Sequence, residues 1–151
     1  MTDPARILIV EARFYGDIAD TLAEGAIQAL DAAGVAYDRI EVPGVFEVPA
    51  AIHFAAKASL SSPDSTVYSG YIALGCVIRG ETDHYDHICR ETSRAIMDLS
   101  LDGLAVGFGI ITCENSEQAW ARASADEKNV GGSAAKACLR MNEIKKKYPL
   151  T

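Results

Sequence analysis

The chain has 151 residues, 49% of them hydrophobic and 23% charged, an ordinary globular composition that excludes disorder. Fourteen Lys and Arg against 21 Asp and Glu leave a formal net charge of −7, which excludes a nucleic-acid partner, because neutralising phosphates needs a cationic excess. No apolar run approaches the roughly 18 residues of a membrane span, so no membrane partner is expected. The opening Met1-Thr2-Asp3-Pro4-Ala5-Arg6 lacks the shape of a signal peptide. Cys76, Cys89, Cys113 and Cys138 are dispersed and form no CxxC, so they read as thiols of a reducing compartment. These features predict a soluble, cytoplasmic, single domain over 1–151 with a short N-terminal arm, 1–5.

Short apolar runs alternate with longer amphipathic stretches. Arg6 to Val10 has strand length, and Glu11 to Gly16 reads as a loop. From Asp17 the spacing turns helical, with Ile18, Leu22, Ala26, Ala29 and Leu30 on one face and Gly34 as the stop. Ala36 to Val42 alternates and predicts a second strand, broken by Pro43-Gly44. Pro49 to Leu60 is Ala-rich and helical, with Pro49 suited to a first turn, and Ser61 to Ser65 is a loop. Tyr68 to Ile78 predicts the third strand and His84 to Leu101 a long helix. Asp102-Gly103 turns into the fourth strand, Leu104 to Thr112. Asn115 or Ser116 caps a helix to about Ala125, and a last helix spans Ser133 to Lys147, its three terminal lysines matching the helix dipole.

Strands alternating with helices imply an α/β fold, a four-stranded parallel sheet with helices on both faces. Ligands bind such sheets at the carboxyl ends of the strands. The densest chemistry there is Gly80-Glu81-Thr82-Asp83-His84-Tyr85-Asp86-His87. A glycine leading into a helix N-terminus offers free N–H groups to a phosphate, Thr82 adds a hydroxyl, and His84 has the pKa range for proton transfer at neutral pH. A plain helix cap with a surface histidine accounts for the same residues. His84, His87 and Glu91 share a helix face, which permits a metal site, although no further ligand is evident. His53 reads as a helix-face residue. Phe14 and Phe46 stand in strand-end loops, where they either stack on a planar heterocycle or plug the sheet, and Glu47 beside Phe46 accepts hydrogen bonds from hydroxyls. Arg122, in a helix of small residues, offers a fork for phosphate, while Trp120 reads as core or interface. Gly131-Gly132-Ser133 is a weak phosphate-loop signal.

Together these segments resemble the lumazine synthase family of riboflavin biosynthesis, from Arg6 to about Met141. The resemblance rests on Arg13-Phe14, Val42-Pro43-Gly44-Val45-Phe46-Glu47-Val48-Pro49, Leu74-Gly75-Cys76-Val77-Ile78-Arg79-Gly80, Thr82-Asp83-His84-Tyr85 and Phe108-Gly109-Ile110-Ile111-Thr112-Cys113-Glu114-Asn115. It implies a three-layer α/β/α, flavodoxin-like fold. It also implies a transferase that condenses 5-amino-6-(D-ribitylamino)uracil with 3,4-dihydroxy-2-butanone 4-phosphate, without cofactor or metal. By resemblance Phe14 stacks on the pyrimidine, Val45, Phe46 and Glu47 line the ribityl chain, and Cys76, Val77 and Ile78 meet the uracil edge through their backbone. Glu81 and Thr82 bind the phosphate, and His84 carries protons. The family's site lies between subunits, so Phe108 and Arg122 would come from the neighbour, in a homopentamer.

The sequence departs from the family pattern where a Lys usually precedes the glycine opening the last helix; here the residue is Val130, with Lys128 two positions earlier. Glu81 puts a carboxylate beside the phosphate site, so its backbone N–H is the expected contact. Pro4 in a short arm disfavours the strand pairing used by sixty-subunit shells. Two alternatives stand beside this reading. One is a metal-dependent hydrolase on His84, His87 and Glu91; the other is a non-catalytic flavin- or lumazine-binding homologue, against which His84 and Arg122 speak.

Overall fold

A computed structural model describes residues 5–80 and 83–149. Four strands, β1 (Arg6–Ala12), β2 (Ala36–Val42), β3 (Gly70–Ile78) and β4 (Val106–Cys113), form a parallel sheet in the order β2-β1-β3-β4. The helices are α1 (Gly16–Ala33), α2 (Val48–Ser61), α3 (His84–Leu101), α4 (Ser116–Ala123) and α5 (Val130–Lys147), with a 3-10 turn at Val45–Glu47 before α2. This is the expected three-layer α/β/α, flavodoxin-like arrangement. The central strands β1 and β3 carry near-continuous apolar runs because both their faces are covered.

Alternation along the strands splits the core in two. Ile7, Ile9, Ile72, Leu74 and Ile111 pack with Leu22, Ala26 and Leu30 of α1, Ala119 and Ala123 of α4, and Ala134, Ala135 and Cys138 of α5. Leu8, Val10, Tyr71, Ala73 and Ile110 pack with Val45, with Val48 and Ile52 of α2, and with Ile96 of α3. The first face is closed by small residues. A Cβ on Gly107 would stand 1.9 Å from the Ala134 carbonyl oxygen, and one on Gly131 would stand 2.1 Å from that of Leu22. Glycine at these positions lets α5 lie directly on β4 and on α1.

Several boundaries move from their sequence-based positions. Glu11 and Ala12 continue β1 rather than opening a loop, because two arginines neutralise the buried Glu11. Helix α5 begins at Val130, so Gly131-Gly132-Ser133 is helix and not a phosphate loop. Asn129, left-handed at φ 48°, caps it by accepting from the Gly132 N–H at 3.1 Å. The third and fourth strands start two residues later than expected, at Gly70 and Val106. Helix α1 stops where Gly34 turns left-handed at φ 68° and its N–H reaches back to Leu30 and Asp31. At α4 the Asn115 side chain accepts from the Gln118 N–H at 2.9 Å, and the Gln118 side chain accepts from the Glu114 N–H at 2.8 Å.

Candidate active site

Three segments leave the carboxyl ends of β1, β2 and β3 and converge on a cleft of about 620 Å³. The β1–α1 loop supplies Phe14 and Tyr15, and the turn before α2 supplies Pro43, Gly44, Val45, Phe46 and Glu47. The end of β3 supplies Cys76, Val77 and Ile78, while the first two turns of α3 supply His84 and Ile88. Eight of the residues singled out in the sequence therefore line one space: Phe14, Val45, Phe46, Glu47, Cys76, Val77, Ile78 and His84. The volume is in the range of small-molecule sites.

The cleft is mostly apolar with a few placed polar groups. Phe14 is 73% exposed and touches Tyr15 edge to face, centroids 4.9 Å apart. Phe46 is likewise exposed, so neither ring plugs the sheet and each leaves surface for a planar ligand. Val45 is buried and anchors the turn against the α2/α3 side of the core. Burial and the neighbouring Cys113 push the Cys76 thiol up to about 12, so at neutral pH it is an uncharged wall and not a nucleophile. Burial also raises Tyr15.

His84 opens α3, placing its imidazole at the mouth of the cleft with Ile88 one turn below. Around it Arg79 ties the strand end to the helix. The Arg79 Nε donates to Glu114 at 3.1 Å, its Nη2 donates to Asp86 at 3.4 Å, and its guanidinium lies 4.3 Å over the Tyr85 ring. Asp83 occupies the cap position without a side-chain capping bond, and its carboxylate pairs with His87 at 3.4 Å. Among the described residues no group of three or more His, Cys, Asp and Glu side chains could hold a metal. The metal alternative on His84, His87 and Glu91 has no geometry to support it. Glu81 and Thr82 lie outside the described residues.

Phe108 and Arg122 do not reach this cleft within one chain. Phe108, 44% exposed, stands on the edge strand β4 on the α2/α3 face, and Arg122 donates from Nη1 to the Gln118 carbonyl of its own helix at 3.2 Å. Tyr15 and Ile88 were missed in the sequence. Ile88 was legible as the residue one turn beyond His84 on the same helix face, whereas Tyr15 carried no pattern of its own.

The comparisons with known proteins cover nearly the whole chain. The profile of the 6,7-dimethyl-8-ribityllumazine synthases matches residues 4–146. The chain belongs to the 6,7-dimethyl-8-ribityllumazine synthase family. A relative of that name from Afipia carboxidovorans is 55% identical over 144 residues, covering 95% of this chain and 87% of its own. One from Agrobacterium fabrum is 55% identical over 142 residues, 93% of this chain and 95% of its own. A 6,7-dimethyl-8-ribityllumazine synthase 1 from Rhizobium meliloti is 52% identical over 145 residues, 95% and 94% of the two chains. Among the described residues no helix is long and apolar enough to cross a membrane.

Proposed function

We propose that this chain is a cytoplasmic, single-domain transferase of riboflavin biosynthesis. It condenses 5-amino-6-(D-ribitylamino)uracil with 3,4-dihydroxy-2-butanone 4-phosphate to 6,7-dimethyl-8-ribityllumazine, releasing phosphate and water. The observation that carries the reading is the convergence of Phe14, the Val45–Glu47 turn, the Cys76–Ile78 strand end and His84 on one cleft.

Each part has a task in that reaction. Phe14 stacks on the pyrimidine, and the backbone of Cys76, Val77 and Ile78 meets its polar edge. Val45 and Phe46 flank the ribityl chain, and Glu47 accepts from its hydroxyls. The N–H groups at Glu81 and the hydroxyl of Thr82, ahead of α3, hold the phosphate beside the positive end of the helix. The amine of the pyrimidine then adds to the ketone of the butanone, the adduct loses water to an imine, and phosphate leaves by elimination before the ring closes. These steps need two reactants held together and a proton carried between nitrogen and oxygen. His84 carries it, and positioning supplies the larger part of the acceleration.

The site is completed by a second copy of the chain in a homopentamer, with Phe108 and Arg122 arriving from the neighbour. Exposed Phe54, Met97, Leu101 and Phe108 on α2, α3 and β4 support self-association, since a monomer seldom leaves so many large apolar groups in water. Arg122 then meets the phosphate as a bidentate donor.

The test is to mix purified protein with both substrates and follow the lumazine chromophore against His84→Ala. Formation well above background, reduced but not abolished in the variant, is the expected result. Tight binding of lumazine or riboflavin without acceleration would identify a binding homologue and overturn the catalytic reading.

A further inference from the structure

Among the described residues one charged side chain is fully buried. Glu11, 1% exposed, follows the apolar run of β1 and takes its place on the α1/α4/α5 face of the sheet. A carboxylate at that depth stays ionised only when it is paired and hydrogen-bonded. Arg39 on β2 meets it side-on, donating from Nε at 2.7 Å and from Nη2 at 2.9 Å. Arg13 donates to the same carboxylate from Nη1 at 3.2 Å.

Arg13 also spans everything that borders its loop. Its Nη2 donates to the Gly16 carbonyl at 3.4 Å and to Asp20 of α1, its Nε lies 3.4 Å from Glu41 of β2, and its backbone N–H reaches the Val42 carbonyl at 3.5 Å. The next residue is Phe14, whose exposed ring is held by little beyond Tyr15. The direction of that ring therefore depends on its backbone, and the backbone depends on Arg13.

We propose that Glu11, Arg39 and Arg13 form a positioning relay for Phe14. The buried carboxylate and Arg39 fix the Arg13 guanidinium, Arg13 fixes the β1–α1 loop, and the loop presents the ring to the pyrimidine. This inference rests on the proposed reading of the cleft and adds specificity-determining residues that do not touch the substrate. The butanone phosphate meets other elements, so its binding is untouched by the relay.

The experiment titrates ribitylaminouracil alone into wild type, Glu11→Gln, Phe14→Ala and the double variant, and measures KM for the butanone phosphate in parallel. Glu11→Gln keeps shape and loses charge; Arg39→Lys, which keeps charge and loses the fork, serves as the milder variant if the glutamine does not fold. The expected result is a Kd for the pyrimidine weakened about tenfold by either, a KM for the butanone phosphate within twofold, and no further weakening from Glu11→Gln once Phe14 is alanine. A purely structural role gives additive losses in the double variant or moves both substrates together, and either outcome overturns the relay. Folded Glu11→Gln and Arg39→Lys variants that bind the pyrimidine as tightly as wild type also overturn it. Wild type that does not bind the pyrimidine at all sinks the reading of the cleft, and the relay with it.

Discussion

The two faces of the sheet solve different problems. The face under α1, α4 and α5 is closed: its contacts are made by glycine, alanine and fully buried aliphatic side chains, and backbone approaches backbone at Gly107 and Gly131. The face under α2 and α3 has a smaller core and leaves Phe54, Met97, Leu101 and Phe108 exposed. The cleft lies at the carboxyl ends of the strands, bounded by α3 and the turn before α2. One face holds the fold, and the other leaves large apolar side chains uncovered within one chain.

The largest effect on the closed face comes from adding a single carbon. Gly107→Ala places a Cβ against the Ala134 carbonyl, and the overlap can be relieved only by moving α5 off β4. Denaturant unfolding is expected to show a loss of about 3 kcal/mol. Stability close to wild type would mean that this face is less tightly set than the contacts indicate.

On the open face the expected losses are catalytic. His84→Ala lowers kcat by about a hundredfold, the lower range for a general acid–base, while unfolding midpoints stay near wild type because the residue sits at an exposed helix start. Phe14→Ala raises KM for the pyrimidine roughly tenfold, the loss of one aromatic stack with its buried area, and leaves stability within about 0.5 kcal/mol. If Phe14→Ala instead destabilised the chain as Gly107→Ala does, the division between the faces would fail.

The effect confined to alkaline solution is a pH dependence that belongs to the closed face. Burial pushes the Cys138 thiol from 9.0 up to about 12 in the folded protein. The unfolded chain therefore releases this proton first, and binds fewer protons than the native state between those values. The contribution is fully present below pH 9 and is lost as pH rises from 9 to 12. Cys138→Ala should flatten the fall in unfolding midpoint over that window, and an unchanged slope would exclude the thiol as its cause.

Local pattern made most of this fold legible. The apolar runs of β1 and β3 and the spacing of Ile18, Leu22, Ala26 and Leu30 specify their elements without outside help. The residues that misled are those whose state is set by partners far along the chain. Glu11 reads as a loop acid until Arg39, twenty-eight positions away, is known to pair with it. Gly131-Gly132 reads as a loop until the Leu22 carbonyl under Gly131 and the Asn129 side chain against Gly132 explain why nothing larger fits. In the site, the cleft-lining residues were legible because chemistry-bearing types stand directly after strands. Phe108 and Arg122 stand apart from it, since one chain does not bring them to the cleft.

That separation leads to the most direct test of the account, mixing of two impaired variants. His84→Ala keeps Arg122 for its neighbour, and Arg122→Ala keeps His84 in its own cleft. Dissociated and reassembled together in equal amounts, they place both intact residues at about a quarter of the sites if each site draws on two adjacent copies. Recovery of lumazine formation to about a quarter of wild type is the predicted result. A mixture no more active than the mean of its two parents would contradict a site shared between two copies.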